Sequence, residues 1–270
     1  MFGRLALHTW TLDKTPLREA IAAAKAGGFD AIELRRVDFM RCREQGMDNE
    51  AVVDLVRAGG MPVHMMGGEH GWMFGKGEES QRLFDVLEET CENAVALDCP
   101  VIMTAPGPRD GPIGEAVENL KRAADICGKY GLRLAIEFNF AHPSVNRIAP
   151  ALEIIHGADR PNAGILLDAY HLERGGDGGH GFADVAPEDI VAFQFSDVPA
   201  GESPNRPTDR LPPGQGVIHW VEAFRLLHQK GFSGYLSYEA PNPDAWKRPP
   251  VEVCREAADA TRAMIAQAVG

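Results

Sequence analysis

Gly164-Ile-Leu-Leu-Asp-Ala-Tyr-His171 is the stretch from which the fold can be read. Ile165, Leu166 and Leu167 form an apolar run of strand length, with glycine before it and polar residues after it. A run that is apolar on both faces fits a strand buried on both sides, as in a parallel sheet. Asp168 ends the run and His171 follows three residues later. Three further apolar runs end in the same way: Leu132-Arg-Leu-Ala-Ile-Glu137-Phe-Asn139, Ile190-Val-Ala-Phe-Gln194-Phe-Ser-Asp197 and Gly234-Tyr-Leu-Ser-Tyr-Glu239. Acid and amide residues at the carboxyl ends of successive parallel strands converge when those strands close into a barrel.

Outward from this stretch, apolar strand runs alternate with helical patterns. Leu5-Ala-Leu-His8-Thr-Trp10 reads as the first strand, 29–34 as the second, 61–66 as the third and 101–104 as the fourth. Pro16 opens a helix whose Leu17, Ala20, Ile21 and Ala24 recur at helical spacing, and Gly27-Gly28 closes it. Asp48 caps a helix that stops at Gly59-Gly60, and longer helices are predicted over 78–97 and 114–130. Further helices fall at 149–158 and 220–230, and the last ends near residue 268. The segments 67–77, 106–112, 175–181 and 199–216 are rich in glycine or proline and read as loops. Eight strand–helix units with no linker between them predict a single (β/α)8 TIM barrel over residues 1–270. The competing doubly wound open sheet lacks support, because no Gly-x-Gly-x-x-Gly follows the first strand.

The totals agree. A chain of 270 residues suits an α/β barrel, which takes about 250. A net charge of −12 argues against a nucleic-acid-binding surface. The five cysteines show no Cys-x-x-Cys spacing and read as buried thiols in a reducing compartment. No apolar stretch approaches the ~20 residues of a membrane span, and the amino-terminal residues lack a leader pattern. The expectation is a cytoplasmic protein without membrane or nucleic-acid partners; a homo-oligomer is left open.

Glu137, Asp168, Gln194 and Glu239 would form a ring of oxygen donors on the fifth to eighth strands. Any one acid at a strand end could be a helix cap or a loop hydrogen-bonder. Several together repel unless a cation joins them. An all-oxygen set suits Mg²⁺ or Mn²⁺ better than Zn²⁺. His171, just beyond Asp168, is placed to bond a substrate hydroxyl or the metal shell. Arg210, in Asp209-Arg-Leu-Pro-Pro-Gly-Gln-Gly216, could hold a carbonyl, a hydroxyl or an anionic group. Trp72 and Phe74 are candidates for an apolar lid or wall, and Glu33, His8 and His64 for polar pocket residues. His142, His156, His180, His219 and His228 read as surface or loop residues.

Taken in order, Ala-Ile-Glu137-Phe, Leu-Leu-Asp168-Ala-Tyr-His171, Phe-Gln194-Phe-Ser-Asp197, Asp209-Arg-Leu-Pro-Pro-Gly-Gln-Gly and Leu-Ser-Tyr-Glu239 resemble the xylose isomerase-like barrel superfamily. More narrowly they are similar to its sugar phosphate isomerase/epimerase branch, of the keto-inositol isomerase type. The resemblance implies a divalent metal at Glu137, Asp168, Gln194 and Glu239, with Glu137 and Glu239 flanking the reacting carbon. It implies an isomerase or epimerase of a keto-sugar or keto-cyclitol. Members of the keto-inositol type carry histidine where this chain has Gln194, whereas members similar to hydroxypyruvate isomerase or dehydroshikimate dehydratase can carry glutamine. A dehydratase on the same scaffold is therefore the second expectation. A catalytically silent sugar-binding barrel is the third, and a metal nuclease is disfavoured by the acidic charge.

Overall fold

The computed structural model describes residues 2–201, 203 and 206–270; Met1 of the amino-terminal segment and residues 202, 204 and 205 of the 199–216 loop lie outside the described residues. Eight parallel strands close in sequence order: β1 (Leu5–His8), β2 (Ala31–Arg35), β3 (Val63–Gly67), β4 (Val101–Thr104), β5 (Arg133–Glu137), β6 (Ala163–Asp168), β7 (Ile190–Phe195) and β8 (Leu236–Tyr238). β8 pairs with β1 through Leu5↔Leu236 and Leu7↔Tyr238, which leaves the barrel without an edge. The fold is a single (β/α)8 TIM barrel, as the alternation of strand and helix patterns predicts.

The outer helices are α1 (Leu17–Gly27), α2 (Arg36–Glu44), α3 (Asn49–Gly59), α4 (Gly77–Ala96), α5 (Ile113–Lys129), α6 (Ile148–Ala158), α7 (Ala169–Gly175), α8 (Trp220–Gln229) and α9 (Pro250–Val269). α9 packs against both α1 and α8 and so closes the ring of helices. The large apolar cluster lies between strands and helices, while Met65, Met103, Ala135, Leu166, Val191 and Ala192 form a separate, smaller one. Every residue of β6 beyond Ala163 is buried, which is why this strand reads as an unbroken apolar run. All five cysteines are buried and unpaired. Among the described residues no helix is long and apolar enough to cross a membrane.

Two helices escape the sequence pattern. α2 buries only Asp38, Phe39 and Cys42, too few apolar residues for a stripe. Its start is set by polar chemistry, with the Asp38 carboxylate accepting from the Arg35 N–H at 2.8 Å. α7 is seven residues long and begins Ala169-Tyr-His-Leu, all four buried, so only Glu173 and Arg174 at its end could mark a polar side, too few to show a helical period. Asp168 caps it by accepting from the Tyr170 N–H at 2.8 Å, and Gly176 ends it at a φ of 88°.

Gly164 shows how closely the strands are fitted. A Cβ there would lie 2.5 Å from the Asp189 carbonyl oxygen and 2.5 Å from Val191 Cγ2. One methyl cannot enter without moving the start of β7. Gly164→Ala is therefore expected to destabilise the barrel by about 1–3 kcal/mol, read as a lower urea midpoint with an unchanged m-value.

Candidate active site

The donors sit at the carboxyl ends of the strands. Glu137 closes β5, Asp168 closes β6, Gln194 is the penultimate residue of β7 and Glu239 follows β8. All four are buried, with Asp168 and Gln194 wholly inaccessible. The register places Asp168 beside Gln194, and Gln194 beside Ser237. His171, in the first turn of α7, turns Nε2 to within 3.5 Å of Glu137 Oε1 and 3.7 Å of Asp168 Oδ2. Candidate ligand atoms of Glu137, Asp168 and His171 all lie within 4.8 Å of one another. His171 is thus closer to the donor ring than a purely substrate-facing residue need be.

Arg210 completes the cluster. Its Nη1 donates to Asp168 Oδ2 at 3.0 Å and to Glu239 Oε2 at 2.9 Å. Its guanidinium lies 4.1 Å from the centre of the Tyr170 ring. This geometry is built by the loop that follows β7. Asp197 accepts from the N–H groups of Val198, Gly214, Gly216 and Ile218, which ties both ends of the loop to one carboxylate. Asp209 accepts from the Tyr170 hydroxyl at 2.7 Å and is bridged by Arg174. Asn242 donates to the Arg210 carbonyl at 3.0 Å. Neither Arg174 nor Asn242 was legible as a site residue, because each acts through Asp209 or the Arg210 backbone.

The electrostatics follow from burial and crowding. Burial, reinforced by Glu239 and Asp168, lifts the Glu137 carboxyl well above its ordinary range. Burial also raises Glu239, against the pull of Arg210. Burial pushes Asp168 up, but Arg210, His171 and the Tyr170 N–H outweigh it and hold the group below the usual carboxylate value. Desolvation takes His8 and His171 down to about 4. Glu137 Oε1, Gln194 Oε1 and His171 Nδ1 are buried and, among the described residues, have no hydrogen-bond partner. Leaving such groups unsatisfied costs about 1–3 kcal/mol each. Crowded carboxylates with orphaned acceptors are what a divalent cation relieves, so the donor set fits one.

A cavity of about 450 Å³ opens above these residues, lined by His8, Glu137, His171, Arg210 and Glu239 together with Trp10, Arg35, Arg36, Glu69, His70, Asn139 and Pro207. Trp10, Glu69 and Asn139 follow strand ends, and Arg35 is the last residue of β2, so all four could have been nominated on that ground alone. Other expected site residues are not brought to this cavity. Trp72 is buried and packs on Phe84 with ring centres 6.0 Å apart, so it belongs to the core. Phe74 stacks on His142, which is itself buried and not a surface residue: its Nδ1 accepts from the Ser144 and Val145 N–H groups. His64 is the second residue of β3 and lines a different cavity at the amino-terminal end of the barrel. Glu33 is wholly buried beneath the cavity floor, bonded to Gln194 and Ser237.

With this geometry in hand, comparison with known proteins decides the family. The sequence model described as xylose isomerase-like TIM barrel matches residues 21–264. The chain belongs to the xylose isomerase-like TIM barrel family. An inosose isomerase of Halalkalibacterium halodurans is 29% identical over 184 residues, which span 63% of this chain and 63% of that enzyme. A 3-dehydroshikimate dehydratase of Pseudomonas aeruginosa is 26% identical over 92% of this chain but only 39% of its own length. Among solved structures, the IolI protein with a bound zinc atom superposes with a TM-score of 0.85, 21% identity and 98% coverage of both chains, which is a likeness of fold.

The His64 ring carries a consequence for stability. Burial, with Arg4 nearby, lowers it from 6.5 to about 3. Between those values the unfolded chain takes up a proton that the folded chain refuses, so stability falls as pH drops below 6.5. His64→Gln removes this contribution. Urea unfolding at pH 7, 6 and 5 is expected to show a shallower loss for the variant than for the parent; parallel losses would remove His64 as the cause.

Proposed function

We propose that this protein is a divalent-metal-dependent isomerase or epimerase of a keto-sugar or keto-cyclitol. The observation that carries the reading is that two glutamates, Glu137 and Glu239, line one cavity beside a buried group formed by Glu137, Asp168 and His171, with Gln194 next to Asp168 on the neighbouring strand. Glu137, Asp168, Gln194 and Glu239 would hold the metal, together with His171, whose candidate ligand atom lies within 4.8 Å of those of Glu137 and Asp168. The predominance of oxygen favours Mn²⁺ or Mg²⁺. When bound, such a cation supplies Lewis-acid stabilisation of the charge that develops as a proton leaves the carbon beside a carbonyl.

The chain's own residues do the rest. Glu239 Oε1 lies 3.3 Å from His8 Nε2, and its Oε2 is held by Arg210, so the carboxylate has a fixed orientation. Glu137 Oε1 is buried without a hydrogen bond among the described residues, 3.5 Å from His171 Nε2, and the carboxyl has a raised affinity for a proton, the properties of a group that accepts and returns one. Proton return to the neighbouring carbon is isomerisation, and return to the opposite face is epimerisation. His171 and Asn139, both lining the cavity, are placed to bond substrate hydroxyls.

Charge at the cavity points to an uncharged polyol. Arg35 is bridged to Asp13 at 2.9 Å and Asp38 at 3.1 Å, Arg36 is bridged to Glu69, and Arg210 is committed to Asp168 and Glu239. Among the described residues, each arginine that lines the cavity already has a carboxylate partner, so apart from the metal an anionic group would meet no uncommitted guanidinium there. This supports a neutral inosose-like ketone over the anionic substrate of a dehydroshikimate-type dehydratase.

The test is solvent exchange. With Mn²⁺ present, the parent is expected to incorporate deuterium at the α-carbon of a neutral keto-cyclitol or ketose, followed by proton NMR in D₂O. Glu137→Gln and Glu239→Gln are each expected to slow that exchange by about 10²-fold or more. Unchanged exchange in both variants would remove the glutamates from the proton transfer.

A further inference from the structure

Glu33 was expected in the pocket, but it is wholly buried and touches no part of the cavity surface. It stands in the middle of β2 and is met from four other strands, with His64 Nε2 of β3 3.7 Å from its Oε2. Gln194 Nε2 of β7 donates to its Oε1 at 2.7 Å, and the Ser237 hydroxyl of β8 donates to its Oε2. His8 Nε2 of β1 lies 3.5 Å from Oε1. A buried carboxyl group placed here is costly, and nothing in packing alone demands it, since the neighbouring interior positions Met65 and Leu166 are apolar.

What the group does is fix the Gln194 amide. A carboxamide has a donor end and an acceptor end that point apart, and either could face the donor cluster. Glu33 Oε1 accepts from Gln194 Nε2 at 2.7 Å, which holds the nitrogen end of the amide at Glu33 and leaves Gln194 Oε1 on the other side. That oxygen is the one left buried with no partner among the described residues. We infer that Glu33 is the positioning residue that presents Gln194 Oε1 to the divalent cation.

This inference rests on the metal reading above. It also accounts for a glutamine in the ring: an amide serves as an oxygen ligand only while its nitrogen is held elsewhere, and a side chain on β2 holds it. Ser237, bonded to the other oxygen, keeps the Glu33 carboxyl from rotating away.

The test measures metal affinity rather than turnover. The full chain, stripped with chelator, is titrated with Mn²⁺ by calorimetry, and Co²⁺ is used in parallel for its visible ligand-field spectrum. Removal of an outer partner of a metal ligand typically weakens binding 10–100-fold. Glu33→Leu is expected to weaken Mn²⁺ by that factor and to alter the Co²⁺ spectrum. Glu33→Gln retains a carbonyl acceptor for Gln194 Nε2 and is expected to restore affinity to within about threefold of the parent. In a Gln194→Ala background, Glu33→Leu is expected to add no further loss. If Glu33→Leu does not fold, Glu33→Met carries the same comparison.

Equal affinity of the parent and Glu33→Leu, or a full additional loss in the Gln194→Ala background, would overturn the positioning role while leaving the metal reading in place. A parent that binds neither Mn²⁺ nor Co²⁺ would overturn both.

Discussion

Three carboxyl groups are kept out of water at one end of this barrel, and Arg210 is what makes that arrangement tenable. Glu137, Asp168 and Glu239 are each buried, and only Asp168 is held below its ordinary value. The single guanidinium reaches two of the three, through one nitrogen, at 3.0 and 2.9 Å. Breaking such a buried pair by deleting one partner typically costs about 3–5 kcal/mol, because the other charge is left uncompensated. The cluster is therefore weakly compensated by design of its neighbours and is ready for a further positive charge.

The position of Arg210 is determined well away from the ion pairs. Asp197 gathers four backbone N–H groups and pins the two ends of the loop that follows β7. Tyr170 serves twice, as a hydrogen-bond donor to Asp209 and as an aromatic face for Arg210. Because Tyr170 belongs to α7 and Asp168 caps that helix, the residue that pairs with Arg210 also starts the helix that supports it. Fold and site are coupled through a single turn.

The interior of the barrel is divided along its axis. Met65, Met103, Ala135, Leu166, Val191 and Ala192 give an apolar layer. Nearer the mouth, Glu33, Gln194, Ser237 and His8 give a polar layer in which most groups are hydrogen-bonded to each other. An all-apolar interior would be the simpler way to stabilise a barrel. The polar layer is retained where it orients the groups above it, which is the pattern expected of a site that sets geometry at some cost in stability.

Much of this was legible in the chain itself. The unbroken apolar runs before Glu137, Asp168, Gln194 and Glu239 determined parallel strands, and the four residues stand at the carboxyl ends of β5 to β8, where such strands converge. Burial on both faces is a local property of a strand, so sequence alone carries it. What only the tertiary structure decided is which side chains meet. Arg210 and Glu33 join residues far apart in the chain, Trp72 and His64 point away from the mouth, and α7 hides because all its early residues are buried. Direction and partnership depend on the closing of the barrel and on the bulge between β2 and β3, and no local pattern of residues encodes them.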